Sequence, residues 1–248
     1  MAAIRELLER HASGRFTDKR LAWGAKVSDY RDEIAGVLGR GDTPVLIELT
    51  DDLPADAFDR ERTIVVDHHG SRAGADRPTS LEQVFALLGR PAGEWTRELA
   101  LIAANDKGHI AAMRAFGAAD EEIRVIRARD RAAQGVKAAD EDSARKAIAA
   151  RRVIGHLTWV VVPQDRSTAV ADLIEPALGG PGYDALLVEM PTKLAFFGDG
   201  TSVARLAAAV PGSWFGGALP DRGFWGALLP PGADRARLIA ALITRLSD

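Results

Sequence analysis

Two short apolar runs constrain this chain most, because of what each one ends in. Thr63-Ile64-Val65-Val66 is β-branched and apolar, and it gives way at once to Asp67-His68-His69-Gly70. Upstream, Pro44-Val45-Leu46-Ile47-Glu48-Leu49 is a second such run, with Asp51 and Asp52 just beyond it. β-Branched residues favour strands, and short apolar runs bounded by turn residues read as buried ones. In α/β sheets, ligands gather at the carboxyl ends of strands. If the two runs are sheet neighbours, Glu48 or Asp51 shares an edge with His68. A helix over Arg97–Ala104 leads into Asn105-Asp106-Lys107-Gly108-His109, so its end can bring Asp106 to the same place. That stretch also has the composition of a helix-stop turn.

One imidazole and two carboxylates suit Mn²⁺, Mg²⁺ or another first-row ion. An adjacent carboxylate can fix the tautomer of a ligating ring. Such an ion activates water and stabilises phosphoryl oxygens. The chain has no cysteine, which excludes a thiolate site and a disulfide framework.

Strand and helix signals alternate on both sides of a central charged stretch, which predicts an α/β chain in three parts. Residues 1–117 form a parallel-sheet domain. It has helices over 2–11, 28–39 and about 80–88, the last with Ser80 as N-cap and Gln83 three residues on. Residues 118–152, rich in Ala, Arg, Asp and Glu, read as a helical linker whose charges form a wet face. Residues 153–248 form a smaller α/β domain. Strands are expected over 157–162, 184–190 and 194–197, and helices over 168–178, 202–210 and about 234–246. Gly198-Asp199-Gly200-Thr201-Ser202 reads either as a phosphate cradle of backbone N–H groups or as a plain hairpin-to-helix turn. The Trp214-Phe215…Phe224-Trp225 cluster reads as packing, as a dimer surface, or as a base-stacking group.

The Asp67-His68-His69 triplet after its strand, the acid-bearing strand before it, and Asp106 after an apolar helix together resemble motifs of the DHH phosphoesterase superfamily. That family includes RecJ-like exonucleases, oligonucleotide phosphodiesterases, exopolyphosphatases and manganese-dependent pyrophosphatases. The second half resembles the family's C-terminal substrate domain. The resemblance implies one or two ions, Mn²⁺ or Mg²⁺, with His68 and Asp106 as ligands and Glu48 or Asp51 in place of a bridging carboxylate. It implies that Asp67 orients His68, that His69 sits near a substrate phosphate, and that Arg222, Gly216 and Gly217 contact substrate. It also implies two halves closing over that substrate.

The chain departs from the family pattern in residues 1–44, where no Asp-x-Asp follows a strand, so it reads as a divergent member lacking the first motif. Glu48 stands where aspartate is usual. The glycine-rich stretch 213–226, the counterpart of a phosphate-binding loop, carries Arg222 and no histidine.

The expected function is divalent-metal-dependent hydrolysis of a small phosphorylated substrate: a short oligonucleotide, nucleotide or polyphosphate. The alternative is a degenerate protein of the same fold that binds a nucleotide or a protein partner without hydrolysis. A net charge of -3 argues against long duplex nucleic acid, whose binding leans on many basic contacts. No apolar run approaches the roughly 20 residues a membrane span needs. The first residues read as an amphipathic helix, not a signal peptide. A cytoplasmic protein, with a homodimer possible, is the expectation.

Overall fold

The structure, a computed structural model, describes residues 1–21, 24–69, 72 and 77–247; Gly70, the end of the motif run, lies outside them. The chain is a mixed α/β protein of two compact units, Met1–Phe116 and Gly117–Asp248. Among the described residues no helix is long and apolar enough to cross a membrane.

The first unit contains α1 (Ala2–His11), α2 (Arg31–Gly39), β1 (Val45–Ile47), β2 (Ile64–Val66), α3 (Ser80–Leu87) and α4 (Arg97–Ala115). The two apolar runs are indeed sheet neighbours. They pair in parallel, with Val45 opposite Ile64 and Ile47 opposite Val66. Side chains alternate along each strand, so successive residues serve opposite faces. Ile47 and Val66 pack with Ile4 and Leu7 of α1, Leu81, Val84 and Phe85 of α3, and Leu99 and Ile102 of α4. Leu46 packs the other way, against Val27 and Ile34. Helices cover both faces, as parallel strands require.

Two details of this unit differ from the sequence reading. The cap of α3 is Thr79, one residue earlier than expected. Its hydroxyl accepts from the Glu82 N–H at 3.2 Å, and its own N–H donates to Glu82 Oε2 at 2.6 Å. This is a reciprocal capping box, and it leaves the Ser80 hydroxyl available for other work. Thr79→Ala should lower the unfolding free energy by about 1 kcal/mol, measured by urea denaturation. Secondly, α4 does not stop at Asn105. It continues to Ala115 across a break at Gly108 and His109, whose φ values are -168° and 51°. Asp106 therefore lies inside a helix, just before the break, and not in a turn.

The second unit contains α5 (Asp120–Ala133), α6 (Ala138–Ala149), β3 (Arg152–Ile154), β4 (Leu157–Val161), α7 (Thr168–Leu173), β5 (Ala185–Glu189), β6 (Lys193–Asp199), α8 (Gly200–Ala209), β7 (Trp214–Ala218), β8 (Arg222–Leu228) and α9 (Ala233–Ser247). The strands form one sheet in the order β3-β4-β5-β6-β8-β7. Only the β4–β5 pair is parallel. The expected helix over 168–178 ends at Leu173, and a separate 3₁₀ turn follows at Pro176–Leu178.

Strand β5 is buried along its whole length. Ala185 and Leu187 face a core shared with Val203 and Leu206 of α8 and Leu242 of α9. Leu186 and Val188 face Ala144 and Ile148 of α6 and Val170 of α7. This explains why β5 reads as an unbroken apolar run.

Helices α5 and α6 belong to the second unit, and the wet-face reading of their charges fails at two arginines. The Arg127 and Arg131 side chains are only 4% and 7% exposed, and both reach Asp172 of α7. Arg127 donates to Asp172 Oδ1 at 2.5 Å, Arg131 to Asp172 Oδ2 at 2.9 Å, and Arg131 also to Glu141 Oε1 at 2.7 Å. Buried charges persist when paired and hydrogen-bonded. Their partner is distant in sequence, so no local pattern marks them.

The glycine-rich stretch 213–226, expected as a loop, is the β7–β8 hairpin. A β-carbon on Gly217 would come within 2.7 Å of the Gly223 Cα, so glycine lets these strands meet closely. The Gly198–Ser202 segment is not an open phosphate cradle. Asp199 caps α8 by accepting from the Ser202 N–H at 2.9 Å, and the Gly200 N–H donates to the Pro220 carbonyl at 3.1 Å.

Candidate metal centre

The centre lies in the first unit, where β1 and β2 end together. The Glu48 N–H donates to the Val66 carbonyl at 2.9 Å, so Glu48 is tied to the last residue of β2. Asp67, His68 and His69 follow directly. Helix α3 supports them from its first turns, with Gln83 Nε2 donating to the Asp67 carbonyl at 3.0 Å. Glu48 itself has φ = 55°, a left-handed conformation uncommon for a residue with a side chain. This backbone turn places its carboxylate against the histidines.

Glu48, Asp67, His68 and His69 each offer a ligand atom, and these atoms lie within 4.8 Å of one another. Glu48 Oε1 is 3.0 Å from His68 Nδ1, and Glu48 Oε2 is 2.8 Å from His69 Nδ1. Asp67 Oδ1 accepts from the His69 N–H at 2.9 Å and lies 3.1 Å from His69 Nδ1. The two imidazoles stand 4.3 Å apart, tilted by 41°. Ser80, which the sequence reading placed at the cap, donates its hydroxyl to Glu48 Oε1 and lies 3.1 Å from His68 Nδ1. The signal for it was present: Thr79-Ser80-Leu81-Glu82 matches the capping-box pattern as well as the frame that starts at Ser80 does.

On the other side of His68, Asp106 Oδ2 is 3.3 Å from Nε2. The His68 imidazole therefore has a carboxylate at each ring nitrogen. A neutral imidazole carries one N–H. With that proton on Nδ1 toward Glu48, Nε2 presents a lone pair to an acceptor oxygen. A cation between them would make the contact favourable. Three carboxylates around two imidazoles, with hard oxygen and borderline nitrogen donors, fit a divalent first-row ion or Mg²⁺.

The carboxylates differ electrostatically. Burial works to raise the Asp67 pKa, but hydrogen bonds from the His69 N–H and ring carry it below the ordinary carboxylate value. Asp106 is shifted up, because desolvation of its carboxyl outweighs the facing His68.

Asp51 is not brought to the cluster. It forms a two-pronged pair with Arg60, Oδ2 to Nε at 2.7 Å and Oδ1 to Nη2 at 3.0 Å. Of the two carboxylates left open by the sequence, the structure places Glu48 among the histidines. The Arg60 hydrogen bond holds the Asp51 pKa below its usual value. A depressed carboxylate stabilises the fold above its unfolded pKa of about 3.9 and loses that contribution as pH falls through the folded value. Asp51→Asn should therefore reduce stability at neutral pH and flatten the decline in Tm below about pH 4. It should leave Mn²⁺ affinity, read by calorimetry, within the error of the parent.

Arg222, Gly216 and Gly217 lie in the second unit, on the β7–β8 hairpin. The Arg222 guanidinium stands 4.8 Å from the centre of the Tyr183 ring and 3.9 Å from Glu175 Oε1. Burial raises the pKa values of both Glu175 and Tyr183.

No protein-family model matches this chain, and no curated protein matches it. Among solved structures, the chain is similar to RecJ from Thermus thermophilus, a structure in complex with Mg²⁺. The similarity has a TM-score of 0.47 and 13% identity, over 100% of this chain and 57% of that one. The chain thus spans little more than half the length of that protein.

Proposed function

We propose that this protein is a divalent-metal-dependent phosphoesterase acting on a small phosphorylated substrate, as a divergent member of the DHH phosphoesterase superfamily. The observation that carries this reading is His68 with a carboxylate on each ring nitrogen, inside a cluster of acids and imidazoles at the carboxyl end of two parallel strands. His68, through Nε2, and Asp106 would hold the ion, with Glu48 fixing the ring from its other nitrogen and Asp67 and His69 beside it. A bound Mn²⁺ or Mg²⁺ supplies water activation and neutralises charge on phosphoryl oxygens.

The remaining roles fall to the chain's own groups. Ser80 and Glu48 hold the His68 ring in place through Nδ1. Asp67 and Glu48 hold His69 through its Nδ1, leaving the other nitrogen of this half-exposed ring, Nε2, which would donate to a phosphate oxygen only with the ring doubly protonated. Arg222, with Gly216 and Gly217, forms the proposed substrate-binding set of the second unit. The mild net charge suits a short substrate.

One observation favours binding without hydrolysis. Two of the aspartates in residues 1–44 are engaged away from the cluster: Asp18 pairs with Arg5, and Asp29 accepts from the Lys26 N–H at 2.8 Å. Among the described residues, none from that segment joins the group of acids and histidines.

The deciding experiment is Mn²⁺-dependent phosphate or nucleotide release from pyrophosphate, short polyphosphate and pApA, with and without chelator. Release that chelation abolishes supports the hydrolase. No release while calorimetry shows Mn²⁺ bound shifts the reading to ligand binding alone.

A further inference from the structure

The β7–β8 hairpin carries two aromatic rings that neither core uses. Along this strand pair, Trp214 stands opposite Gly226 and Phe224 opposite Gly216. Each ring leans across to the facing glycine. A β-carbon at position 226 would fall on the Trp214 indole, and one at 216 would lie 3.0 Å from Phe224 Cζ. Alternation along the strands puts Trp214, Phe224 and Arg222 on one face of the sheet. The opposite face carries Trp225, which is buried in the core of α8 and α9. Trp214 and Phe224 remain 45% and 41% exposed. Arg222, two residues from Phe224 on the same strand, is half exposed and held at the end of this surface by Tyr183 and Glu175.

Glycines opposite both rings remove the side chains that would cover them, and the sheet ends at β7. The outcome is aromatic surface open to solvent beside a guanidinium. A planar π-system carrying an anionic group complements that surface in chemistry and charge. Arginine is suited to phosphate by its forked donors, and aromatic side chains stack nucleobases with little regard to sequence.

We propose that Trp214 and Phe224 stack the base of a nucleotide whose phosphate is taken by Arg222. This deepens the phosphoesterase reading, on which it rests, by naming a nucleotide as the substrate class over bare pyrophosphate or polyphosphate. Binding here needs no metal, so the two readings can be separated.

The test is calorimetric titration of the full chain with AMP and with inorganic pyrophosphate, in chelator, for the parent, Trp214→Leu, Phe224→Leu, Trp214→Phe and Arg222→Gln. Each leucine variant should weaken AMP binding on the order of tenfold, within the range that loss of a stacking ring produces. Trp214→Phe, which keeps a ring over Gly226, should bind AMP nearly as the parent does. Arg222→Gln should weaken both ligands. Thermal unfolding identifies any leucine variant that fails to fold, and the remaining leucine variant with Trp214→Phe then decides.

AMP affinity unchanged in a folded leucine variant overturns the proposal. So does a parent that binds pyrophosphate and not AMP. A dimer that Trp214→Leu dissolves, with AMP binding intact, would assign this surface to a second copy and also overturn it. Ring-dependent AMP binding without any Mn²⁺-dependent hydrolysis would uphold the stacking site and remove the hydrolase reading.

Discussion

Replacing His68 with alanine is expected to remove both Mn²⁺ binding and phosphate release. This ring is contacted by Glu48 and Ser80 at one nitrogen and Asp106 at the other. Losing a group that merely supports a ligand typically costs about 10–100-fold in metal affinity or activity. Losing the ring at the middle of the cluster should cost at least that in affinity. In turnover the loss should be on the order of 10²–10³, as for loss of one preorganised charge-stabilising group. Titration calorimetry reads the first and release from pApA the second. His156→Ala is the control, because His156 lies in the other unit and the Ala185 N–H donates to its backbone carbonyl, which the substitution keeps. Parent-like Mn²⁺ affinity in the His68 variant would remove the centre as a metal site.

The largest stability effect is expected at Asp172. Its carboxylate accepts from Arg127 and Arg131, and all three side chains are buried. Asp172→Ala takes the shared carboxylate from two buried guanidinium groups at once, leaving Arg127 with Asp130 and Arg131 with Glu141. Breaking a buried pair by removing one partner costs about 3–5 kcal/mol, and urea unfolding should show a loss of that size. Asp130→Ala should lose far less, because Asp130 is a more exposed partner of Arg127. An Asp172 variant that unfolds at the parent's midpoint would mean that the arginines find other partners or water.

The contrast between these residues shows what was legible in the sequence. The triplet Asp67-His68-His69 stood out because a β-branched strand ends on it, and strand ends are where the backbone fans side chains into a site. The neighbouring strand could be found the same way. Which acid reaches the histidines could not be read, since Glu48 has a backbone turn at φ = 55° beside them and Asp51 is taken by Arg60, neither of which composition reveals. Ser80 was misread as a cap because two overlapping frames fit the same cap pattern, and only packing distinguishes them. Asp106 could be read as a ligand beyond a helix end or as part of a helix-stop turn; α4 instead runs on past it, with a break at Gly108 and His109. Arg127, Arg131 and Asp172 were invisible for another reason. Burial of a charge depends on a partner elsewhere in the chain, and local periodicity carries no trace of it.

The left-handed turn at Glu48 sets folding and chemistry against each other. For a residue with a side chain this conformation costs roughly 1–2 kcal/mol that glycine would not incur. The Glu48 N–H is tied to the Val66 carbonyl at 2.9 Å, and such conformations persist where the surrounding structure holds them. A search for hardier versions of this chain, guided by melting temperature alone, would therefore drift toward glycine or asparagine at position 48. It would discard, among its first gains, the carboxylate that joins the two histidines.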